Sequence, residues 1–165
     1  MNHLVLLLLS TLLVRLGATL ISDLGALFLK HVFQIDTSNM CLVGRWLRYM
    51  PEGTFKHRNI RTTPQKSAEC IVGWIAHYLI GILFALMFIA FVGSRWLQHP
   101  TLIPAILFGI VIVAAPFLIM QPSFGLGFAA SMMANPAEAR LRTLMNHVAF
   151  GVGLYLFGLL VSSLP

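Results

Sequence analysis

Charge is what this sequence has least of. Only 10% of its 165 residues are Asp, Glu, Lys or Arg, and only five are acidic. A soluble domain carries about 25% charged residues and is about half apolar; here 58% are hydrophobic and the mean hydropathy is +0.86. That much apolar surface excludes an ordinary soluble domain and points to a lipid bilayer as solvent. Cysteine is nearly absent too. Cys41 and Cys70 allow one disulfide at most, and no C-x-x-C pair or Cys/His spacing for zinc occurs. Catalytic signatures are missing: there is no G-x-S-x-G, no P-loop, no H-E-x-x-H and no paired carboxylate motif. The formal net charge of +6 does not call for nucleic acid, because membrane proteins collect Lys and Arg in their cytoplasmic loops.

Four segments approach the roughly 20 apolar residues that cross the hydrocarbon core: residues 4–29, 71–93, 101–120 and 144–163. Arg15 and Asp23 interrupt the first, each costing about 2.5 to 3.5 kcal/mol at mid-membrane. Its sixteen Leu, Ile, Val and Phe residues return roughly 5 to 10 kcal/mol together. Insertion is close to balanced and helped by partner helices. A cleaved signal peptide is the rival for this stretch, but no Lys or Arg precedes its apolar run and no convincing A-x-A site follows. Pro104 and Pro116, then Gln121-Pro122, predict a third span that bends or ends irregularly. The expected fold class is all-α, an integral-membrane four-helix bundle forming one domain over residues 1–165.

Residues 30–69 and 121–142 hold nine Lys and Arg, against Arg95 alone in the other extramembrane segments. The positive-inside rule then puts both loops in the cytoplasm and both termini on the opposite side. Cys41 and Cys70 fall at the cytoplasmic end, where thiols stay reduced. Within the first loop, MCLVGRWLRYM brings Leu42, Trp46, Tyr49 and Met50 to one helical face, with Arg45 and Arg48 to the side. This predicts an interfacial amphipathic helix anchored by Arg45, Trp46, Arg48 and Tyr49. PEGTFKHRNIRTTP should be irregular, its basic run an ordinary cytoplasmic loop rather than a phosphate site. FGLGFAAS, residues 124–131, predicts a tight re-entrant or surface turn. The fourth helix should begin early, with Asn135 as cap, Pro136 in the first turn and Glu138 three residues after the cap.

A histidine inside an apolar span needs a reason. Read by fours, the second span shows Glu69, Gly73, His77, Gly81 and Ala85 on one ridge. Small-xxx-small ridges let helices approach closely in lipid, so His77 should face protein, with Gly73, Gly81 and Ala85 as packing positions. The fourth span carries Thr143, His147, Gly151 and Tyr155; the first puts Arg15, Thr19, Ser22 and Asp23 on one face. The topology gives Asp23, His77 and His147 a common depth, with Glu69, Tyr78, Gln121 and Asn146 near the same level. Titratable groups in a bundle are costly unless paired. These seven residues are therefore expected to satisfy one another, with Asp23 against His77 or His147 as the natural pair. Three uses stay open. The cluster packs helices and nothing more; or, with no cofactor, it binds or passes a small polar solute or protons, as a protonation switch rather than a catalytic centre; or His77 and His147 ligate haem b, their HxxxG spacing leaving room for a porphyrin face. The expected partner is the lipid bilayer, with a second copy or another membrane protein against the small-residue faces; no metal ion and no nucleic acid is expected.

The linear pattern also resembles a family of bacterial multi-pass membrane proteins known only as a domain of unknown function. The residues carrying the resemblance are Gly44-Arg45-Trp46, Pro51, Gly53, Phe55 and His57, then Gly73-Trp74 with Ala76-His77-Tyr78. Further on come Pro100-Thr101, Pro104-Ala105, Ala115-Pro116-Phe117 and Gln121-Pro122 with Gly125 and Gly127. Arg140, His147, Phe150-Gly151 and Leu154-Tyr155 complete it. These positions run through nearly the whole chain. The resemblance implies an integral inner-membrane protein, its termini periplasmic under the charge rule, and supplies no activity, ligand or catalytic residue.

Overall fold

The computed structural model describes the backbone of residues 3–34 and 38–163, and side chains at 13, 14, 16–34 and 38–163. The chain is all-helical, with no strand among the described residues. Helix α1 is His3–Phe33, α2 Met40–Tyr49, α3 Glu69–Val92 and α4 Leu102–Ile112; α5 is the short Gln121–Ser123 and α6 is Pro136–Ser162. Among the described residues, four helical stretches are long and apolar enough to cross a membrane: Leu16–Phe33, Glu69–Val92, Leu102–Ser123 and Pro136–Ser162. The third is broken as its prolines require. After Ile112 the α-helical ladder gives way, and a π-helical turn over Pro116–Met120 leads into α5. A proline supplies no N–H and displaces the carbonyl four residues back, so the ladder must widen or stop there.

Hydrophobicity alone does not choose the inner face of these helices. Phe91, Ile103 and Val111 all point outward and stay exposed, because both core and lipid accept them. Small residues decide it. A side chain at Gly81 would collide with Thr19 of α1, and one at Gly153 with Ala18; Ala149 sits against Gly25. Gly109 of α4 and Gly151 of α6 each lie against the other helix's backbone. Helix α1 thus runs between α3 on one side and α6 on the other, and α4 closes the bundle along α6. Ala85 is fully buried, as are Phe88 and Leu154. The ridge residues Gly73, Gly81, Ala85 and Gly151 are all spent on contacts inside the chain.

One end of the bundle carries a cap. Ile60, Val43 and Phe124 form a second small core there, flanked by Trp46, Met120 and Leu126. Residues 53–68 are irregular and pinned to the segment after α5: the His57 and Ile60 N–H groups donate to the carbonyls of Ser123 and Phe124, at 2.7 and 3.0 Å. Gly125, at φ +79°, is required there because any side chain would strike the Arg58 carbonyl. Asn135 does precede α6, but its side chain accepts no capping hydrogen bond; its amide reaches Glu138 Oε2 at 3.5 Å instead.

Helix α2 departs from the sequence reading in two ways. It packs back-to-back on the start of α3: a side chain at Gly44 would strike the Glu69 carbonyl, and one at Gly73 the Met40 carbonyl. Cys41 and Cys70, each three residues before one of those glycines, meet with their Cα atoms 3.8 Å apart and form a disulfide. The expectation of reduced thiols is corrected by that bond. Arg45 also does not lie at the interface as an anchor. It is buried, 5% exposed, because the α2–α3 contact turns it inward.

Candidate functional site

The crossing of α1 and α3 fixes the first part of the site. Thr19 lies against Gly81, and one turn away on each antiparallel helix come Asp23 and His77. His77 Nε2 is 2.8 Å from Asp23 Oδ1, and the Tyr78 hydroxyl donates to Asp23 Oδ2 at 3.0 Å. One carboxylate thus serves two donors from consecutive residues of α3. The His77 and Asp23 side chains are 23% and 19% exposed, shielded but not sealed. Trp74 stands edge-on to the His77 ring, centroids 5.7 Å apart. Beside it a shallow apolar groove of about 360 Å³, lined by Trp74, Ile75, Tyr78 and Leu79, opens on the outer side of α3.

The same layer continues through α1 to α6. Ser22, next to Asp23, donates to the Asn146 carbonyl at 2.9 Å. Gln121 donates to Thr143 Oγ1 at 3.3 Å, and Thr143 passes its own proton to the Ala139 carbonyl. With that hydroxyl proton committed, Gln121 cannot reverse its amide and accept from Thr143. Its Oε1 is left buried without a partner, as is Oδ1 of Asn146. His147 Nδ1 lies 2.8 Å from the Thr143 carbonyl of its own helix, so Nδ1 carries the proton. Of the seven residues expected to share one cluster, Asp23, His77 and Tyr78 are brought together directly. Asn146, Gln121 and His147 form the α6 side of the layer, and Asp23 makes no pair with His147.

Glu69 leaves the cluster altogether. Its two oxygens take Nε and Nη2 of Arg45 at 2.8 and 2.7 Å, and it also accepts from the Lys66 N–H. Nη1 of Arg45 donates to the carbonyls of Ile60 and Thr63 at 3.1 and 2.8 Å, which fastens the irregular loop. The other residues expected as anchors serve the cap too. Trp46 donates to the Phe55 carbonyl and packs edge-on against Phe124; Tyr49 donates to the Pro64 carbonyl; exposed Arg48 reaches only Ser67, at 3.4 Å. The Glu69 hydrogen bonds hold the Arg45 pKa above its ordinary value. Burial, and then the nearby Arg45 charge, push His57 below its ordinary 6.5. What the sequence reading missed here was written in it: CLVG at 41–44 and CIVG at 70–73 set a cysteine three residues before a glycine on both partners.

The layer can hold and exchange protons or hydrogen-bond a polar group. No cluster of three His, Cys, Asp or Glu able to hold a metal occurs among the described residues. A porphyrin between His77 and His147 meets a geometric obstacle. Nε2 of His77 is taken by Asp23, and α1 packs without a gap against α3 at Gly81 and against α6 at Gly153.

A family profile described as "Protein of unknown function (DUF2938)" matches residues 12–161, and the chain belongs to that family. No curated protein and no solved structure matches it.

Proposed function

Within that family, we propose that this chain is a non-catalytic inner-membrane protein. On this reading it crosses the bilayer four times, with its basic loops in the cytoplasm and both termini in the periplasm. The nine-to-one asymmetry of Lys and Arg supports the orientation. In this reading Asp23, His77 and Tyr78 form a proton-responsive site that also hydrogen-bonds a small polar solute. The carrying observation is the sharing of Asp23 by His77 Nε2 and the Tyr78 hydroxyl at 2.8 and 3.0 Å, only partly shielded, in a span otherwise apolar. A histidine is the one side chain whose ordinary pKa, about 6.5, lets a small change in surroundings alter its charge near neutrality. Helices that meet on glycine and threonine shift against each other at little cost when that charge changes.

The test is reconstitution of wild type and His77→Asn in liposomes after equal folding is established. Trp74 emission and proton-linked uptake are followed from about pH 5 to about pH 8, spanning the histidine range. Wild type should show a transition that His77→Asn lacks. A flat wild type in both assays reduces the site to a packing contact.

A further inference from the structure

We propose that the Cys41–Cys70 bond is a reversible clasp, opened by thiol–disulfide exchange with a dithiol reductant of the thioredoxin class, and not a permanent staple. The proposal rests on the cytoplasmic orientation given above. A disulfide in a reducing compartment is usually transient and redox-sensing or catalytic. Here it stands on the face that holds nine of the Lys and Arg.

Three features make the bond reversible. Cys70 is exposed and Cys41 half-buried, so an incoming thiolate reaches the Cys70 sulfur. Cys70 is the second residue of the 24-residue α3, at the mouth of that helix rather than along its length. Most important, the bond is not what brings α2 to α3. The Gly44–Gly73 backbone contact and the Arg45 fork on Glu69 do that unaided, so the two thiols remain neighbours after reduction and can pair again.

The exchange balances without another reagent. A thiolate of the reductant attacks Sγ of Cys70, and Cys41 leaves as thiolate and is protonated. The reductant's second thiol then attacks its own sulfur in the mixed disulfide and frees Cys70. Two electrons and two protons pass from the dithiol to the protein, and the reductant ends as a disulfide. What the clasp controls is the basic loop. Cys41 and Cys70 are 29 residues apart and enclose residues 53–68, with Lys56, Arg58 and Arg61 exposed. The hydrogen bonds to Ser123, Phe124 and Arg45 hold that loop in both states, and an open clasp lets it detach from them transiently more often.

The experiment uses the full chain in native membranes. Thiols are trapped by acid and counted by the gel shift of a polyethylene-glycol maleimide. Two thiols should appear after treatment with reduced thioredoxin, vanish after diamide, and return on a second reduction. Trypsin should cut residues 56–61 several-fold faster in the reduced form. The double variant Cys41→Ser, Cys70→Ser should be folded and cut at the faster rate whatever the redox state. A bond that reduced thioredoxin leaves intact in the folded protein, thiols that diamide never pairs, or equal cutting rates overturn the clasp. A membrane-impermeant maleimide applied after reduction tests the orientation separately, since only inside-out vesicles should be labelled. Reversible thiols labelled from outside intact cells sink the orientation alone; irreducible ones facing inward sink the clasp alone.

Discussion

Arg45 and Glu69 carry opposite charges on side chains only 6% and 9% exposed. Removing one partner strands the other, so Glu69→Gln should cost about 3 to 5 kcal/mol. Thermal unfolding in detergent, followed by circular dichroism, measures it. Replacing both with apolar residues, as Arg45→Met with Glu69→Leu, should lose much less. A single variant as stable as wild type would show the pair to be idle. His57 supplies a pH dependence of definite sign. Its pKa in the folded chain lies below 6.5 through burial and the Arg45 charge, with Nε2 buried and unpartnered. The unfolded chain therefore takes up a proton first as the pH drops. The stability His57 contributes is complete above about pH 6.5 and is lost as the pH falls from there toward its folded pKa. Replacing it with Phe should flatten that part of the decline; identical pH profiles for the two proteins would contradict the assignment.

Among the elements, legibility followed the solvent. In lipid, close approach needs small side chains, so the fours of Gly73, His77, Gly81 and Ala85 could be read from spacing alone. Asp23 had to find a donor, and spacing offered His77 or His147 without choosing; the structure gives it His77 and Tyr78. The break at Pro116 was equally readable, because proline acts locally. Helix α2 was not. Its aromatic and basic pattern suits a membrane surface and a protein surface alike, and periodicity does not say that Gly44 will lie against the backbone of α3. Arg45 and Glu69 were misplaced, and the pairing of the two cysteines missed, for that one reason. Gly44→Ala tests the contact: the added methyl meets the Glu69 carbonyl, and such overpacking costs about 1 to 3 kcal/mol. It should also reduce the yield of the Cys41–Cys70 bond, read by the same maleimide shift. Full yield at unchanged stability would mean that α2 and α3 do not depend on this approach.

For the whole molecule, orientation is the first quantity to measure. Reporters inserted within residues 56–66 should be active only as cytoplasmic fusions, and reporters after Pro165 only as periplasmic ones; a cytoplasmic C-terminus reverses the scheme. The placing of α1 bears on how the protein is made. The ribosome delivers this helix before both of its packing partners, since its two packing faces belong to α3 and α6. Until residue 77 emerges, Asp23 has neither His77 nor Tyr78 to satisfy it, and the Ala18 and Gly25 face waits for α6. A nascent chain ending before α3 should therefore leave α1 loosely held, dependent on an insertase and extractable by alkaline carbonate. A chain ending after α3 should resist extraction. Biogenesis of this bundle is thus a matter of retention: α1 is stored at the membrane until later synthesis gives it neighbours.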